Sequence, residues 1–296
     1  DKLLASTNIS FDVSIFEFFM TLLNGAKLYL YNEPNINDIF KYCKTIIKEK
    51  ITFLYIPPNI LEDVYSILST YSNIPINKML LGVEPIKSST IKKYYTLNPE
   101  MKIINAYGPT EATSAVSAVN ITSDMLEMDY LPVGDVSTVA TKIEICGDEI
   151  ILKGDSVFNG YLGNHIGGYF NDEGTNCYKT GDIGYVEEGL LYCKGRKDNQ
   201  IKYKGYRIEL GDIENNLLKI NGVREAVVIA KYNDVQIVKS IKAFITLEKE
   251  VELVEIKKQL KEYLPEYMVP KTIIVLEKIP VNKNGKYDRK KLQELW

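Results

Sequence analysis

The sequence predicts an α/β fold built from three differently patterned parts. Strand-like and helix-like segments alternate up to about residue 130, short glycine-punctuated strands fill about 131–197, and a compact α+β pattern occupies 198–296. Alternation of this kind is typical of parallel α/β layers, and closely spaced short strands are typical of a β-rich unit. We therefore expect a large subdomain over 1–197, with its β-rich unit at the end, and a small subdomain over 198–296.

In the first part, the apolar run 14–23 predicts a buried helix. Ser14 is a candidate for its N-terminal cap, and Asn24-Gly25 is suited to a left-handed end. After this helix the patterns predict further elements, which are a strand over 26–31, a helix over 37–49, a strand over 51–56, a helix after Pro57-Pro58, a strand over 78–81, a helix over 88–95 and a strand over 102–105.

The remaining parts contain mostly short strand patterns. In the β-rich unit and in the α+β unit we predict strands over 142–146, 149–153, 184–192, 200–203, 223–231 and 241–247, and a helix over 254–263.

Composition excludes several classes of function. The 296 residues carry 36 basic and 39 acidic side chains, well mixed, for a net charge of -3. This gives no electrostatic footprint for nucleic acid and no polybasic stretch for a membrane surface. No run approaches the ~20 apolar residues of a membrane span. The four cysteines form no CxxC pair and His165 is the only histidine, so we expect reduced thiols, no zinc site and a cytoplasmic protein.

Four polar motifs follow one another along the chain. Their ranges are 105–111 (Asn-Ala-Tyr-Gly-Pro-Thr-Glu), 178–182 (Tyr-Lys-Thr-Gly-Asp), 195–209 and 284–289 (Asn-Gly-Lys-Tyr-Asp-Arg). The first follows a predicted strand, and open α/β sheets place ligands at such strand ends. Taken singly, the first motif could be only a turn with a helix cap. Asp182, in the second motif, could be an ordinary turn aspartate. In this order they resemble the adenylate-forming (AMP-binding) superfamily, which includes acyl-CoA synthetases, luciferases and nonribosomal peptide adenylation domains.

The resemblance covers essentially the whole chain and implies ATP and Mg²⁺ as ligands. It implies that Thr110 hydrogen-bonds the phosphates and that Glu111 holds Mg²⁺, which in proteins favours one or two carboxylates together with phosphate oxygens. Tyr107 would stack on adenine and Asp182 would accept hydrogen bonds from the ribose hydroxyls. The implied nucleotide-binding set is Tyr107, Gly108, Asp182 and Arg196.

Three further roles are implied for the C-terminal part. In the family, the lysine that matches Lys286 enters the active site and bridges the substrate carboxylate and the phosphate, although a lysine in Asn-Gly-Lys is ordinarily a solvated turn residue. Asp198 matches the hinge position about which the small subdomain rotates. Lys204 and Gly205 would face the pantetheine tunnel after that rotation.

Asp12 indicates the branch of the superfamily. The segment Ser10-Phe11-Asp12-Val13-Ser14 resembles the part of amino-acid adenylation domains whose aspartate binds the substrate α-ammonium group. The alternative is that Asp12 is only a helix N-cap. Carried over by position, the substrate pocket is uncharged, which indicates a neutral amino acid; its lining would be Val13, Phe16, Tyr55, Leu80, Gly82, Ala106, Ser114 and Ala115.

The implied function is ATP-dependent activation of an amino acid as its adenylate, followed by transfer to the phosphopantetheine thiol of a carrier protein. The type is a nonribosomal peptide adenylation domain or a D-alanine:carrier-protein ligase, with the carrier in trans or on an extension. The sequence departs from the family pattern at three places. Gly82-Val83-Glu84 stands where the family has Gly-Gly-Glu, Cys193 stands where relatives often have a tyrosine near the ribose, and the phosphate loop that ends in Pro-Lys-Gly is not found. We expect that loop in a preceding segment. The alternatives are an acyl-CoA synthetase and a non-catalytic binding module.

Overall fold

The computed structural model describes residues 1–32, 36, 38–82, 86–128, 131–138, 141–163, 167–197, 200–233, 237–249, 251–282 and 287–295. The chain divides into two compact units, Asp1–Lys197 and Asp198–Trp296. The helices are α1 (Val13–Leu23), α2 (Ile39–Glu49), α3 (Leu61–Leu68), α4 (Ser88–Leu97), α5 (Leu210–Leu218), α6 (Leu253–Tyr263) and α7 (Arg289–Glu294).

The strands of the first unit are β1 (Lys2–Ala5), β2 (Lys27–Leu30), β3 (Phe53–Tyr55), β4 (Lys78–Gly82), β5 (Lys102–Tyr107), β6 (Ser117–Asn120), β7 (Gly134–Asp135), β8 (Lys142–Cys146), β9 (Glu149–Lys153), β10 (Tyr169–Asp172), β11 (Thr175–Glu187) and β12 (Leu190–Arg196). Those of the second unit are β13 (Gln200–Tyr203), β14 (Tyr206–Glu209), β15 (Val223–Tyr232), β16 (Val238–Leu247) and β17 (Thr272–Val275).

A six-stranded sheet organises the first part of unit one. Its order is β2-β1-β3-β4-β5-β6, and β1 to β5 pair in parallel while β6 is antiparallel to β5. The predicted α/β alternation is therefore confirmed. Because parallel strands end at the same edge of a sheet, the segments that follow β1, β3, β4 and β5 lie along one edge.

One face of this sheet carries the main core. Alternate residues of β3, β4 and β5 pack against α2, α3 and α4, and Leu54, Met79 and Ile103 are fully buried there. Since successive strand residues point to opposite faces, Tyr55, Leu80 and Ala106 belong to the other face. Helix α2 is well delimited, because Asp38 accepts a hydrogen bond from the Lys41 amide and Lys50 ends the helix in the left-handed conformation.

Helix α1 buries its polar side rather than its apolar side. Ser14, Glu17 and Thr21, spaced along one helical stripe, are fully buried, whereas the apolar residues Phe19 and Leu22 are more than half exposed. The prediction of a buried apolar helix is wrong in this respect, because apolar content alone does not say which face is covered. The buried stripe is satisfied by hydrogen bonds, as buried polar groups require.

The prediction for the N-terminal end of α1 is wrong, and the prediction for its C-terminal end is confirmed. Ser14 does not cap the helix; its hydroxyl donates to the Phe11 carbonyl at 2.6 Å from within the first turn. The left-handed end is confirmed, since Gly25 has φ +60° and the Ala26 amide donates back to the Thr21 carbonyl at 3.0 Å. The Gly25 amide also donates to the Leu22 carbonyl at 3.2 Å, and the two bonds together close the helix in the manner of a Schellman motif.

Glu17 joins α1 to the end of β1. Its carboxylate accepts hydrogen bonds from the Ser6 amide at 3.3 Å, the Thr7 amide at 3.2 Å and the Thr7 hydroxyl at 2.9 Å. A charged residue inside the apolar run 14–23 was the sequence signal for such a contact. The segment that leads from β1 to Asp12 is therefore anchored at its start by this side chain.

The stability of the protein should depend on pH through Glu17. Burial raises the pKa of Glu17 above its ordinary value of 4.5, although hydrogen bonds from Thr7 and Ser6 act in the opposite direction. A raised carboxyl pKa contributes stability that is present at low pH and is lost as pH rises through the folded-state value. The difference in melting temperature between the wild type and Glu17→Gln should therefore change in favour of Glu17→Gln as pH rises above about 4.5. A difference that does not change with pH would contradict this prediction.

The second sheet of unit one is antiparallel, with the order β7-β12-β11-β9-β8 and with β10 on β11. It encloses a second core around Ile150, Leu152 and Leu191. The strands predicted over 142–146 and 149–153 are confirmed. The single strand predicted over 184–192 is wrong, because Glu188 and Gly189 have φ +51° and +80° and turn the chain from β11 into β12.

Unit two packs helices on a three-stranded sheet of order β15-β16-β17, and β13 and β14 form a separate hairpin. The predicted strands over 200–203, 223–231 and 241–247 and the predicted helix over 254–263 correspond to β13, β15, β16 and α6. Helices α5 and α7 and strands β14 and β17 were not predicted. Within the described residues, no helix combines the length and the apolar character that a membrane span requires.

Candidate functional site

The carboxyl end of β5 continues into a tightly packed turn. A Cβ atom on Gly108 would lie 2.5 Å from the Ser114 carbonyl oxygen and 2.7 Å from the Ala115 Cα, so only glycine fits there. Thr113 and Ser114 have φ +65° and +71°, which non-glycine residues rarely adopt. Strained backbone of this kind is concentrated at functional sites.

Tyr107, Asp182 and Arg196 form one buried polar cluster. The Tyr107 hydroxyl donates to Asp182 Oδ2 at 2.7 Å, and Arg196 donates to Asp182 Oδ1 at 2.8 Å. Asp182 is 4% exposed, so its charge is compensated by the guanidinium within the protein. Burial, and next the Asp182 charge, raises the pKa of Tyr107 well above its ordinary value, which keeps the hydroxyl protonated as a donor. Three of the four motifs therefore meet at one carboxylate.

The position of Asp182 follows from an irregularity in β11. The pairing of β11 with β9 shifts register between Lys179 and Ile183, and Gly181 within this interval has φ +73°. The Thr180 hydroxyl donates to the Ile150 carbonyl at 2.8 Å and accepts from the Asp182 amide at 3.0 Å. Bulges of this kind re-aim side chains and are common beside active sites. Register then places Asp182 directly opposite Arg196 on β12.

Asp12 and Thr110 are in contact although 98 residues separate them. The Thr110 hydroxyl donates to Asp12 Oδ2 at 2.6 Å, near the protein surface. Asp12 precedes α1, but its side chain makes no capping hydrogen bond. The arrangement therefore does not support the alternative in which Asp12 serves only as a helix cap.

Glu111 occupies a short helical turn, Thr110–Ala112, directly after the first motif. Its Oε1 accepts a hydrogen bond from the Tyr161 hydroxyl at 2.6 Å, and its carbonyl accepts one from the Phe158 amide at 2.9 Å. The described residues contain no group of three or more His, Cys, Asp or Glu side chains arranged to hold a metal ion. A lone carboxylate is suited to share Mg²⁺ with phosphate oxygens, and it fits the implied ion only in that way.

The predicted pocket residues of the sheet share one face. Tyr55 pairs with Leu80, and Gly82 pairs with Ala106 two residues further along. Phe16 of α1 reaches the same face, because its ring meets the ring of Phe53 edge-on at 6.0 Å between centroids. Val13 begins α1, and Ser114 and Ala115 lie in the turn after Gly108. Strand register thus brings Tyr55, Leu80, Gly82 and Ala106 to one side of the sheet, and Phe16 reaches that side from α1.

Comparison with known proteins gives the family. The sequence profile described as AMP-binding enzyme matches residues 1–162, and the profile of the AMP-binding enzyme C-terminal domain matches residues 212–286. The chain belongs to the AMP-binding enzyme family. The first profile ends within the segment that holds Tyr161, and the second begins within α5.

Curated relatives in the AMP-binding enzyme family include two D-alanine--D-alanyl carrier protein ligases. The protein from Lactococcus lactis subsp. lactis is 33% identical over 99% of this chain and 62% of its own length. The protein from Streptococcus agalactiae serotype V is 35% identical over 98% of this chain and 62% of its own length. The chain therefore spans somewhat less than two thirds of these relatives.

The fold of the AMP-binding enzyme family is also found in solved structures. The adenylation domain AlmE from Vibrio cholerae, in complex with glycyl-adenosine-5'-phosphate, has a TM-score of 0.84 and 22% identity, and covers 100% of this chain and 58% of that one. At this identity the likeness concerns the fold alone. It agrees with the layered α/β architecture expected from the sequence.

Some predicted residues of this AMP-binding enzyme are not placed by the structure. Lys286, Asp198, His165, Val83 and Glu84 lie outside the described residues. Lys204 and Gly205 form the turn between β13 and β14 in unit two, with φ +54° and +82°. Their roles stay predictions.

Two residues of the site were missed by sequence reasoning. Tyr161 directly follows Asn159-Gly160, and nothing in its spacing indicates the contact with Glu111. Glu149 accepts a hydrogen bond from the Gly181 amide at 3.1 Å and thereby supports the bulge before Asp182. Its place at the start of a predicted strand gave no signal either.

Proposed function

We propose that the chain belongs to an enzyme that activates an amino acid with ATP and transfers it to a carrier-protein thiol. The observation that carries this proposal is the 2.6 Å contact between Asp12 and Thr110. It puts a carboxylate suited to an α-ammonium group beside a hydroxyl suited to a phosphate. An amino acid and ATP have to meet in that way before they can react.

The proposed chemistry has two steps. A substrate carboxylate oxygen bonds to the α-phosphorus of ATP while the bond from that phosphorus to the bridging oxygen breaks, and pyrophosphate leaves. The carrier thiol, having lost its proton, then attacks the acyl carbon, and AMP leaves. Mg²⁺, when bound, neutralises charge on the phosphates. Glu111 would hold the ion, Thr110 would donate to the phosphates, Asp182 and Arg196 would bind the ribose, and Tyr107 would stack on adenine.

The proposed substrate is a neutral amino acid, with D-alanine as the first candidate. Support comes from the uncharged face formed by Tyr55, Leu80, Gly82 and Ala106, which offers no partner to a charged side chain. Further support comes from the names of the relatives, which are 33% and 35% identical. The proposed partner is a carrier protein with a phosphopantetheine arm, engaged through Lys204 and Gly205. Because the reaction consumes ATP, we place it in the cytoplasm.

Amino-acid-dependent ATP–pyrophosphate exchange tests the proposal. The assay would use a panel of L- and D-amino acids, on this chain and on a version extended at its N-terminus to the length of its relatives. Exchange with one neutral amino acid is expected. Exchange only in the longer version would show that this portion is catalytically incomplete without the remainder. No exchange in either form, with both folded, would overturn the proposal in favour of a binding module.

The ammonium-binding role of Asp12 gives a more specific prediction. Asp12→Asn should raise the KM for the amino acid at least about 10-fold, because loss of one partner of a desolvated charge pair costs roughly 2 kcal/mol or more. The KM for ATP should change little. The control is Asp63→Asn, an exposed carboxylate on α3. Equal changes in both KM values, or no change in either, would argue against the assigned role.

A further inference from the structure

Tyr161 makes a contact with Glu111 that the proposed chemistry does not use. Its hydroxyl lies 2.6 Å from Glu111 Oε1 and 3.4 Å from the hydroxyl of Tyr178, which is itself buried. The Tyr161 hydroxyl therefore donates a short hydrogen bond to the Glu111 carboxylate.

The ring of Tyr161 is closely packed. Phe158 meets it edge-on, with centroids 4.7 Å apart, and a Cβ atom on Gly167 would lie 2.3 Å from the ring. Gly167 therefore has to be glycine for the ring to occupy this place. Phe158 also meets Tyr169 and Tyr178 edge-on, at 5.5 and 5.7 Å. The hydroxyl of Tyr161 is thus held by a packed aromatic cluster rather than by a mobile surface chain.

The same segment also holds the backbone of Glu111. The Phe158 amide donates to the Glu111 carbonyl at 2.9 Å, so residues 158–161 contact both the main chain and the side chain of Glu111. A glutamate side chain has three rotatable bonds, and ordering it costs conformational entropy. A contact that orders the carboxylate beforehand removes this cost from the binding of an ion.

We propose that Tyr161 is the positioning residue of the metal-binding carboxylate, and that its hydroxyl fixes Glu111 in the orientation that receives the Mg²⁺ of Mg–ATP. This inference rests on the proposed function. A carboxylate can accept a hydrogen bond on one oxygen while it contacts a cation through the other. Outer partners of metal ligands act in this way, and their removal typically costs 10–100-fold in metal affinity.

The test measures ATP binding by calorimetry at increasing Mg²⁺ concentrations and without amino acid. It uses the form of the protein that is active in pyrophosphate exchange. Tyr161→Phe removes the hydroxyl and keeps the ring. It should raise the Mg²⁺ concentration for half-maximal ATP binding about 10–100-fold. The affinity for AMP without metal should be unchanged.

Two further variants separate positioning from packing. Tyr169→Phe removes a hydroxyl from the same aromatic cluster, but that hydroxyl donates to Asn176 at 3.0 Å; its Mg²⁺ titration should match the wild type. Glu111→Gln should shift the titration, and adding Tyr161→Phe to it should shift it little more, since both changes act on one contact.

Three results would overturn the inference. One is a Mg²⁺ titration of Tyr161→Phe that matches the wild type. Another is equal loss of Mg–ATP and of metal-free AMP binding, which would indicate damage to the fold. In both cases the proposed function stands. Absence of Mg²⁺-dependent ATP binding in the wild type would overturn the proposed function together with this inference.

Discussion

Asp182→Ala is expected to destabilise the first unit by about 3–5 kcal/mol and to abolish measurable ATP binding, since removing one partner of a buried ion pair leaves the other charge uncompensated. Arg196, with a 13% exposed side chain, would lose its 2.8 Å partner, and the buried Tyr107 hydroxyl would lose its acceptor. Urea unfolding gives the stability, and calorimetry with Mg–ATP gives the affinity.

A matched control lies on the same sheet. Asp172 forms an ion pair with Lys153 at 3.0 Å, but its side chain is half exposed, so Asp172→Ala should change stability and ATP binding little. Asp182→Asn keeps the volume and should lie between Asp182→Ala and the wild type in stability. If Asp182→Ala were no more destabilising than Asp172→Ala, the buried cluster would not contribute to the stability of the first unit as expected.

Lys286→Ala is expected to lower the rate of adenylate formation about 10²–10³-fold, because a lost donor to charge that develops in the transition state costs roughly 3–4 kcal/mol. The proposed role acts only in the transition state, so the KM for ATP should change little while kcat falls. Rapid-quench measurement of aminoacyl-AMP formation, in the active form of the protein, would give both parameters.

The assignment of Lys286 to the first step can be separated from a general effect of charge. Lys290→Ala removes an exposed lysine four residues further on, in α7, and should leave the rate unchanged. Transfer from preformed aminoacyl-AMP to the carrier thiol should be largely retained in Lys286→Ala. A variant that adenylates at the normal rate, or that loses both steps equally, would speak against the assignment.

The fold was predictable where a local sequence pattern is compatible with only one secondary structure. The strands over 142–146 and 149–153 and the left-handed end at Gly25 followed from alternation and from glycine alone. The failures arose where tertiary context decides. The exposed apolar face of α1 could not be predicted, because periodicity does not say which side of a helix is covered. The turn at Glu188-Gly189 was missed because apolar residues on both sides read as one strand.

The candidate site was predictable as motifs but not as contacts. The sequence indicated Asp182 and Arg196 separately, whereas their pairing depends on the register of β11 with β12. The contact between Asp12 and Thr110 joins positions 98 residues apart, and no local pattern encodes such a distance. Tyr161 was invisible for the same reason, since its partner Glu111 lies 50 residues earlier.

The left-handed backbone at Thr113 and Ser114 has a consequence for protein engineering. Each non-glycine residue in this conformation costs roughly 1–2 kcal/mol, so glycine at either position would remove strain. Selection for heat resistance alone would favour such replacements. They would also loosen the turn that packs against Gly108, beside Thr110 and Glu111. Under the proposed function, glycine at these two positions is expected to raise thermal tolerance and to lower turnover, so stabilising substitutions belong elsewhere in the chain.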